Sequence, residues 1–337
     1  MQKPYVVIPN WNGEDRLREC LDSLEAQSLQ PHIIVVDNGS TDRSIEIIER
    51  EYPKIELIKH SKNHGYAGGV NPGFRRAQTS KINFVAVFNN DAIADKEWLR
   101  RLVSCLESSP EIGIVTCKLL GASGDSLDSS GECYTNWGLP YPRGRGEIDI
   151  NKYDGARDIF AATGGASLYR VRMLNEVGLF DEDFFAYYED VDLSFRAQLA
   201  GWKVRYVPSA IAYHQIGATS SRIKGFTTYQ TIKNLPLLLW KNVPMPLLVR
   251  IWPRLLLAHT FFILRALLRL QFIAVIKGVL VGSYLWFKKL VERRRILRNR
   301  KVSDEYIWGM VVHDLPPNAH NLRRLRSAWW KLRGKHA

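Results

Sequence analysis

Three carboxylates lie within four positions of the sequence, directly after a run of aromatic residues. Glu189, Asp190 and Asp192 follow the segment FFAYY, at the start of a predicted helix that ends before Gly201. Acidic side chains at a helix N-terminus are favoured by the helix dipole, so capping alone could explain them. Aromatic neighbours, however, partly desolvate a carboxylate and raise its pKa toward the range in which it accepts a proton at neutral pH. These residue types leave both interpretations open, a helix cap and a general base.

A second polar cluster follows a predicted buried strand. The run NFVAVF leads into Asn89, Asn90 and Asp91. One carboxylate and two amides form the oxygen-rich, partly open surroundings that Mg²⁺ or Mn²⁺ prefers when it also binds substrate phosphates. Another predicted strand ends at His214, although a lone histidine in such a place is usually structural rather than a metal ligand. The NND segment therefore indicates a divalent-cation site.

The elements that must position these residues alternate along the first part of the chain. The strand-like runs YVVI, HIIVVD and IELIKH are separated by stretches at helical spacing, residues 15–27 and 44–52. This alternation predicts an α/β fold with a parallel sheet. In open sheets of this kind ligands bind beyond the carboxyl ends of the strands. Three polar segments follow such ends and are predicted to share one rim: residues 9–12, 37–40 and 89–91.

The segments beside this rim have less specific interpretations. DNGSTD is most simply a turn before a capped helix, although Asp37 ends its strand where it could hydrogen-bond a nucleobase edge. NHGYAGGVNPG, residues 63–73, matches neither a Walker loop nor GxGxxG and is predicted to be a flexible loop before a helix. Residues 121–158 predict an irregular excursion over the site, in part a mobile lid. The small residues around Gly164 and Gly165 suit a backbone approach to a bulky ligand.

Charge is distributed unevenly along the 337 residues. Residues 1–221 carry a net charge of −6 and residues 222–337 carry +19, which accounts for the formal charge of +13. An acidic front and a basic, apolar rear indicate two functions on one polypeptide. We expect no nucleic-acid partner, because a binding module would place stacking aromatic residues among Lys and Arg on a polar surface. Cysteines without CxxC spacing and the lack of a secretory signal predict a reduced, cytoplasmic compartment.

The basic rear is rich in Leu, Ile, Val, Phe and Trp, but charges recur through it. No uncharged apolar stretch between residues 235 and 290 reaches the roughly 18 residues that a spanning helix needs. If the chain after Pro253 is helical, Arg254 and Arg265 share a face, and Arg269 lies one turn further on. A cationic stripe opposite an apolar one is typical of a helix in a membrane interface, and the following ERRRILRNRK suits anionic headgroups. An ordinary helical subdomain is the alternative.

The motifs, in this order, resemble those of the family 2 inverting glycosyltransferases with a GT-A fold, especially their rhamnosyltransferase-like bacterial branch. The resemblance runs from Val6 to about Ser220 and rests on IPNWNG, VVDNGSTD, NHGYAGGVNPG, FNND, ATGGASLYR, VGLFDEDFFAYYEDVD, AGW and YHQIGATS. It implies a Rossmann-like nucleotide-diphospho-sugar transferase domain. It also implies a donor, with dTDP-rhamnose favoured over a UDP-sugar, and a saccharide acceptor, either free or linked to polyprenyl diphosphate, in cell-surface polysaccharide synthesis.

The resemblance implies roles at single positions as well. Asp190 takes the place of the catalytic base, and Glu189 is expected to bind the acceptor together with Gly164 and Gly165. Other positions match residues that hold the nucleotide and its sugar: Pro9, Asn10, Asn12, Asp37, Asn38, Asn63, Gly65, Gly69, Asn71 and Asn90.

The metal-binding positions depart from the family pattern in one place. Asp91 matches the carboxylate of the family's DXD motif, and His214 matches a metal-side histidine of some relatives. Asn89 stands first in the triplet, where many relatives have a carboxylate. Because an amide offers only a neutral oxygen, the expected affinity for Mg²⁺ or Mn²⁺ is lower.

Two alternatives stay open on the sequence. A nucleotidyltransferase would share a nucleotide-binding sheet, but it would be expected to carry a glycine-rich N-terminal loop with basic residues, which IPNWNG lacks. A catalytically inactive, sugar-nucleotide-binding relative would keep the fold without the reaction. Asp91, Asp190 and His214 are all present, which favours the enzyme.

These patterns together divide the chain into three predicted parts. Residues 1–225 form the GT-A catalytic domain, residues 226–300 an apolar and basic helical region that associates with the inner face of the cytoplasmic membrane, and residues 301–337 a basic tail. A re-entrant hairpin over residues 272–287 is an alternative to a surface helix. The tail is either a second interfacial anchor or disordered.

Overall fold

The computed structural model describes residues 3–148, 152–214 and 223–324. The chain divides into two compact units. The first contains Met1–Glu132, Pro142–Arg222 and Asn299–Val302, and the second contains Cys133–Tyr141, Ile223–Arg298 and Ser303–Ala337. The sequence analysis assigned the short segment Cys133–Tyr141 to the first domain. It belongs with the helices because Gly138 packs against Ile251 and Leu255.

The strands and helices have the following bounds in the described part of the chain. The strands are β1 (Tyr5–Asn10), β2 (His32–Asp37), β3 (Glu56–Lys59), β4 (Phe84–Phe88), β5 (Ala92–Ala94), β6 (Ile112–Gly121), β7 (Leu127–Ser129), β8 (Glu132–Tyr134), β9 (Pro140–Pro142), β10 (Arg157–Asp158), β11 (Ala166–Arg170) and β12 (Lys203–His214). The helices are α1 (Leu17–Glu25), α2 (Ser44–Glu51), α3 (Gly65–Thr79), α4 (Trp98–Ser108), α5 (Val171–Val177), α6 (Glu189–Leu199), α7 (Phe226–Asn242), α8 (Met245–Leu268), α9 (Phe272–Lys288), α10 (Leu290–Arg298) and α11 (Asp304–Met310).

A mixed sheet forms the centre of the first unit. Strands β3, β2, β1 and β4 lie side by side and parallel, β11 runs antiparallel between β4 and β6, and β12 pairs parallel with β6. The register places Asn10 directly beside Asp37, so β1 and β2 end level with each other. The structure confirms the predicted α/β fold and places polar residues at the carboxyl ends of these strands.

Both faces of this sheet are covered by helices, which is why its strands read as continuous apolar runs. Side chains alternate between the faces along each strand. Val6 and Ile8 pack with residues of α1, α2 and α4, whereas Val7 packs with residues of α3, α5 and α6. The result is a three-layer arrangement that leaves the strand ends for the site.

The glycine-rich segment is a helix rather than the predicted flexible loop. Helix α3 begins at Gly65 and continues through Pro72. Its glycines allow close packing on the sheet, because a Cβ added at Gly73 would lie 2.4 Å from a methyl group of Val7. The prediction failed because glycine serves two purposes, flexibility and close approach, and composition does not distinguish them.

The described residues between 121 and 158 contain more regular structure than the predicted irregular excursion. They include the strands β7, β8, β9 and β10, and β7 extends the main sheet by pairing antiparallel with β6. The guanidinium of Arg143 lies over the rings of Tyr153 and Tyr206, 4.8 Å and 5.3 Å from their centroids. Short strands escaped prediction because each buries few apolar side chains of its own.

The second unit is built from α7 to α11. Helix α7 is buried along most of its length, and α9 crosses it closely, because a Cβ at Gly278 would lie 3.0 Å from Ile232. The rings of Trp240 and Trp286 stack with their centroids 5.4 Å apart. These contacts give the unit a core of its own.

Helices α8 and α9 also carry many exposed apolar side chains. Leu268 of α8 is 86 % exposed and Ile273 of α9 84 %, and Leu270, in the turn between the two helices, is 77 % exposed. Among the described residues one helix, α8, is long and apolar enough to cross a membrane, by length and composition alone. The sequence analysis predicted no spanning helix because it required an uncharged run, and α8 is interrupted by arginines. Pro253 lies inside α8, so the predicted helix after it is confirmed.

Candidate active site

Asp190 lies in the first turn of α6, where backbone amides hold its carboxylate. Gly164 N donates to Asp190 Oδ2 at 2.7 Å, and Val191 N donates to Oδ1 at 2.8 Å. Burial raises the pKa of the Asp190 carboxyl, while these amides and the charge of Arg145 act in the opposite direction. A carboxylate that is fixed in place and has a raised pKa is suited to act as a general base.

The other two acids of the cluster have different surroundings. Asp192 is fully buried, and its carboxylate pairs with Arg196 at 2.8 Å. Arg196 also donates to two backbone carbonyls of the preceding segment, so this ion pair ties α6 to the rest of the unit. Glu189 is 5 % exposed, and its role in acceptor binding stays a prediction.

The aromatic residues before Asp190 adopt an unusual backbone. Phe185, Tyr187 and Tyr188 have φ angles of 64°, 69° and 73°, a region that bulky L-residues rarely adopt. Such conformations cost about 1–3 kcal/mol each and persist where the surrounding structure imposes them. A Cβ at Gly65 would lie 2.3 Å from Phe185 O, so glycine there allows the strained turn to approach α3.

His214, the last residue of β12, stands between two aspartates. Its Nε2 lies 3.0 Å from Asp91 Oδ1, and its Nδ1 lies 2.8 Å from Asp128 Oδ2. Burial lowers the pKa of His214, but the hydrogen bonds and charges of Asp128 and Asp91 outweigh it and raise the pKa to about 9. Asp128 Oδ1 is in turn 2.7 Å from a terminal nitrogen of Arg145. Asp128 therefore orients the ring so that Nε2 faces Asp91.

A chain of hydrogen bonds joins Asp190 to the pair formed by His214 and Asp91. The Tyr66 hydroxyl contacts Gly164 O and lies 3.1 Å from Asn89 Oδ1. The Asn89 amide nitrogen lies 3.2 Å from His214 Nε2. Because Gly164 N holds Asp190, the predicted base and the predicted metal-side histidine belong to one network. Gly165 supports it through a hydrogen bond from Asn89 N to its carbonyl oxygen at 2.9 Å.

The donor set fits a divalent cation that takes its other ligands from substrate and water. Within the described ranges no three His, Cys, Asp or Glu side chains converge to bind a metal on their own. Asp91 supplies one anionic oxygen, and His214 supplies one imidazole nitrogen when a cation replaces the proton that its raised pKa keeps on the ring. Asn89 turns its amide nitrogen to the histidine and its oxygen to Tyr66, and its assignment as a ligand stays a prediction. Mg²⁺ commonly binds through one or two protein ligands together with substrate phosphates.

Amide side chains bind one another at the predicted rim. Asn90 Nδ2 donates to Asn10 Oδ1 at 2.8 Å, and Asn10 Nδ2 donates to Asp37 Oδ1 at 3.2 Å. Asn12 Oδ1 accepts from Thr41 N at 2.8 Å. Asn10 and Asp37 are fully buried. The rim is present, and nucleotide binding by these residues stays a prediction.

A neighbouring group lies where α3 begins. Asn38 Nδ2 donates to Asn63 Oδ1 at 3.1 Å and to Gly65 O at 2.8 Å. A Cβ at Gly69 would lie 3.1 Å from Asn38 Nδ2 and 3.2 Å from Pro9 Cβ. Five of the predicted nucleotide-binding positions therefore gather in one place.

Asn71 does not belong to that group of ligand-facing candidates. It is 2 % exposed, its Nδ2 donates to Phe180 O at 2.9 Å and to Glu182 Oε1 at 2.8 Å, and its Oδ1 accepts from Phe180 N at 3.2 Å. The whole amide is used to tie α3 to the segment before the strained turn. The structure therefore gives Asn71 a structural role.

Sequence reasoning missed four residues of the site. Asp128, Arg145 and Glu132 lie in the segment predicted to be irregular, and Tyr66 lies in the segment predicted to be a flexible loop. Burial and the charge of Asp190 raise the pKa of Glu132 well above its usual range. Asp128 meets the histidine only because β7 pairs with β6, an association that local sequence does not show.

A model of glycosyl transferase family 2 matches residues 5–178, just over half of the chain. The chain belongs to this family. The match covers the rim, Asp91 and the glycine pair, and it ends before Asp190 and His214.

Named relatives of this family 2 chain differ in the sugar they transfer. It is 26 % identical over 274 residues to "Probable glucomannan 4-beta-mannosyltransferase 3" of Arabidopsis thaliana, covering 76 % of the chain and 47 % of the relative. It is also 26 % identical over 239 residues to the N-acetylglucosaminyl-diphospho-decaprenol L-rhamnosyltransferase of Mycobacterium tuberculosis, covering 64 % of the chain and 77 % of the relative. The chain thus spans about half the length of the first of these relatives.

The fold of this family 2 chain matches solved structures. The mannosyltransferase PcManGT from Pyrobaculum calidifontis, solved in complex with GDP-Man and Mn²⁺, superposes with a TM-score of 0.53 at 15 % identity, over 92 % of this chain and 88 % of that one. At this identity the likeness concerns the fold alone. It confirms the predicted GT-A architecture.

Proposed function

We propose that the protein is an inverting glycosyltransferase that moves a sugar from a nucleoside-diphosphate sugar to a saccharide hydroxyl. The observation that supports this most is the hydrogen-bond network between Asp190 and the pair formed by His214 and Asp91. It joins a carboxylate suited to accept a proton to side chains suited to hold the cation of a diphosphate.

In the proposed reaction Asp190 accepts the proton of the acceptor hydroxyl while that oxygen forms a bond to the anomeric carbon. The bond from this carbon to the diphosphate breaks, and the nucleoside diphosphate leaves from the opposite face with inversion of configuration. The backbone amides of Gly164 and Val191 fix the carboxylate oxygens beforehand, which lowers the entropic part of the barrier. Asp91 and His214 would hold Mg²⁺ or Mn²⁺, which neutralises charge on the leaving group.

For the donor we favour dTDP-rhamnose, with a UDP-sugar as the alternative. The named rhamnosyltransferase relative supports this choice, whereas the mannosyltransferase relative does not. For the acceptor, the diphospho-decaprenol in the name of the same relative supports a sugar linked to polyprenyl diphosphate. We further propose a place in cell-surface polysaccharide synthesis.

A lipid-linked acceptor agrees with association of the chain with the inner face of the cytoplasmic membrane. The exposed apolar side chains of α8 and α9 support this association, since water does not favour such a surface. The exposed basic residues of α10, Arg294, Arg295 and Arg298, would face anionic headgroups.

Release of nucleoside diphosphate from a panel of donors tests the function. Purified protein would be incubated with dTDP-rhamnose, UDP-glucose, UDP-N-acetylglucosamine and GDP-mannose, each with Mn²⁺, Mg²⁺ or a chelator, and with a polyprenyl-diphosphate-linked sugar. We expect release with dTDP-rhamnose and a cation, and product with inverted configuration by NMR. Donor binding without release under every condition would instead favour an inactive sugar-nucleotide-binding relative.

A further inference from the structure

A cavity of about 300 Å³ that is open to the surface lies in the second unit, between α7, α8 and the turn that leads to α9. Its polar lining comes from two sides: Thr227, Thr228, Thr231, Arg265, Arg269 and Gln271. Residues four apart on a helix lie on one face. Arg265, in the last turn of α8, and Arg269, which caps that helix, therefore lie on the same side and line the cavity with the threonines of α7.

The lining is cationic and rich in hydrogen-bond donors. Of the described residues that form it, none is acidic. The Thr228 hydroxyl donates to Gln271 Oε1, which leaves the amide nitrogen of Gln271 as a donor. Helix α7 begins at Phe226, so the partial positive charge of its N-terminal end adds to that of Arg265 and Arg269. Such a lining suits a phosphate group, because guanidinium groups bind phosphate through paired hydrogen bonds.

The side chains around the cavity are apolar and exposed. Leu268 and Leu270 flank Arg269 and are 86 % and 77 % exposed, and Phe272 and Ile273 follow Gln271 with 49 % and 84 % exposed. Neither an aqueous anion nor a second copy of this basic unit would cover such a surface favourably. A phospholipid supplies both complements, a phosphate for the arginines and acyl chains for the leucines.

We infer that the cavity formed by α7, α8 and Gln271 binds the phosphate headgroup of an anionic phospholipid. The inference deepens the proposed membrane association, on which it rests, by naming the lipid class and the residues that select it. The inference distinguishes two roles of basic residues in the rear of the chain. Arg265 and Arg269 would bind a phosphate group specifically, whereas the basic residues of α10 would attract anionic lipids non-specifically.

Sedimentation of the full chain with vesicles tests the site. Vesicles would contain phosphatidylcholine alone, or phosphatidylcholine with an equal amount of phosphatidylglycerol. The double variant Arg265→Gln, Arg269→Gln is compared with Arg294→Gln, Arg295→Gln, which removes the same charge from α10; all four arginines are exposed, so the two variants differ in whether they line the cavity. We expect the first variant to lose about tenfold more of the preference for anionic vesicles than the second, because paired phosphate contacts are stronger than diffuse attraction. Equal losses in the two variants would overturn the inference.

An uncharged variant keeps the test independent of net charge and of folding. Thr227→Val with Thr231→Val removes two lining hydroxyls, and Thr260→Val is its control at an exposed position of α8. We expect the lining variant to lose severalfold of the anionic preference with an unchanged circular dichroism spectrum. An unchanged preference would count against the site.

Inorganic phosphate separates a lipid headgroup from a free anion. At constant ionic strength we expect phosphate to leave the vesicle-bound fraction unchanged. Displacement by phosphate that depends on Arg265 and Arg269 would mean a site for a soluble anion and would overturn the lipid assignment. Absence of vesicle binding by the unmodified chain would overturn membrane association and this inference together, while nucleoside diphosphate release with a soluble acceptor still tests the transferase function separately.

Discussion

Two aspartates of the first unit have the same side chain but different surroundings, which suit them to different tasks. Asp190 is bonded by backbone amides, and burial raises the pKa of its carboxyl. Asp91 instead faces His214, which a second aspartate, Asp128, orients from behind. A carboxylate among neutral donors can gain and lose a proton, whereas one beside an imidazole nitrogen can share a cation. The contrast predicts that substitutions at the two centres fail in different ways.

The largest effect is expected at the proton-accepting centre. Asp190→Asn keeps the size of the side chain but removes the base, so we expect the transfer rate to fall about 10³-fold. Donor affinity, measured by calorimetric titration with Mn²⁺ present, should stay within about twofold because the cation pair is untouched. Near-normal turnover in this variant would remove Asp190 from the mechanism.

The pH dependence of the unmodified protein provides a control for that assignment. Protonated Asp190 cannot accept a proton, so activity should be lost as pH falls through its pKa. Because burial raises this pKa, we expect the acid limb of kcat/KM to lie above the usual range of an aspartate. The neighbouring acids are Glu132 and Glu189, and the neighbouring cation is Arg145. If the charge of Glu132 contributes to the raised pKa, Glu132→Gln should move the acid limb of kcat/KM to lower pH.

At the cation-holding centre the expected failure is in donor binding. Asp91→Asn removes the anionic ligand, and we expect loss of roughly 10²-fold in kcat/KM, since charge stabilisation by a bound cation is worth several kcal/mol. Unlike the base variant, it should also weaken donor affinity and abolish its dependence on Mn²⁺. Donor binding that stays fully Mn²⁺-dependent would place the cation elsewhere.

A smaller effect at the same centre would test the orienting acid. Asp128→Asn leaves both predicted ligands in place, but it loses the charge that holds the His214 ring. Groups that orient a metal ligand typically contribute 10–100-fold, so we expect about a tenfold rise in the Mn²⁺ concentration needed for half-maximal donor binding. Arg145→Gln, which frees one oxygen of Asp128 but leaves the histidine contact, is the matched control and should change it less. Equal effects of the two variants would argue for a general charge effect.

The contrast between the centres also shows what the sequence could and could not predict. Asp190 and Asp91 were recognisable because each follows a strongly patterned element, a helix start and a buried strand. Asp128 was not, because β7 is three residues long and its contact with His214 spans 86 positions. Such a contact follows from sheet register, which a scan of local patterns does not contain.

Glycine and asparagine are the residues whose local structure was hardest to predict, for a physical reason. Gly65 and Gly69 were predicted to form a loop around the donor, yet both lie in α3, where the missing Cβ permits close packing. Asn89 was predicted as a ligand, which stays a prediction, and in the structure its amide links Tyr66 to His214. Small and amide side chains are equally suited to packing, hydrogen bonding and ligand contact, so their types alone do not decide among these uses.

Asn71 provides the smallest and most discriminating test, since family resemblance and structure disagree about it. Asn71→Leu would leave the buried N–H and C=O of Phe180 without partners, so we expect the free energy of unfolding to fall by about 2 kcal/mol. Activity per folded molecule and donor affinity should change little, because both the nitrogen and the oxygen of the Asn71 amide are hydrogen-bonded to protein. Asn63→Ala, at the partly exposed rim, is the control and should show the reverse pattern, weaker donor binding with little loss of stability. Chemical denaturation and donor titration on both variants test this prediction. If Asn71→Leu weakens donor binding while its stability is unchanged, the role implied by the family holds and the structural role is wrong.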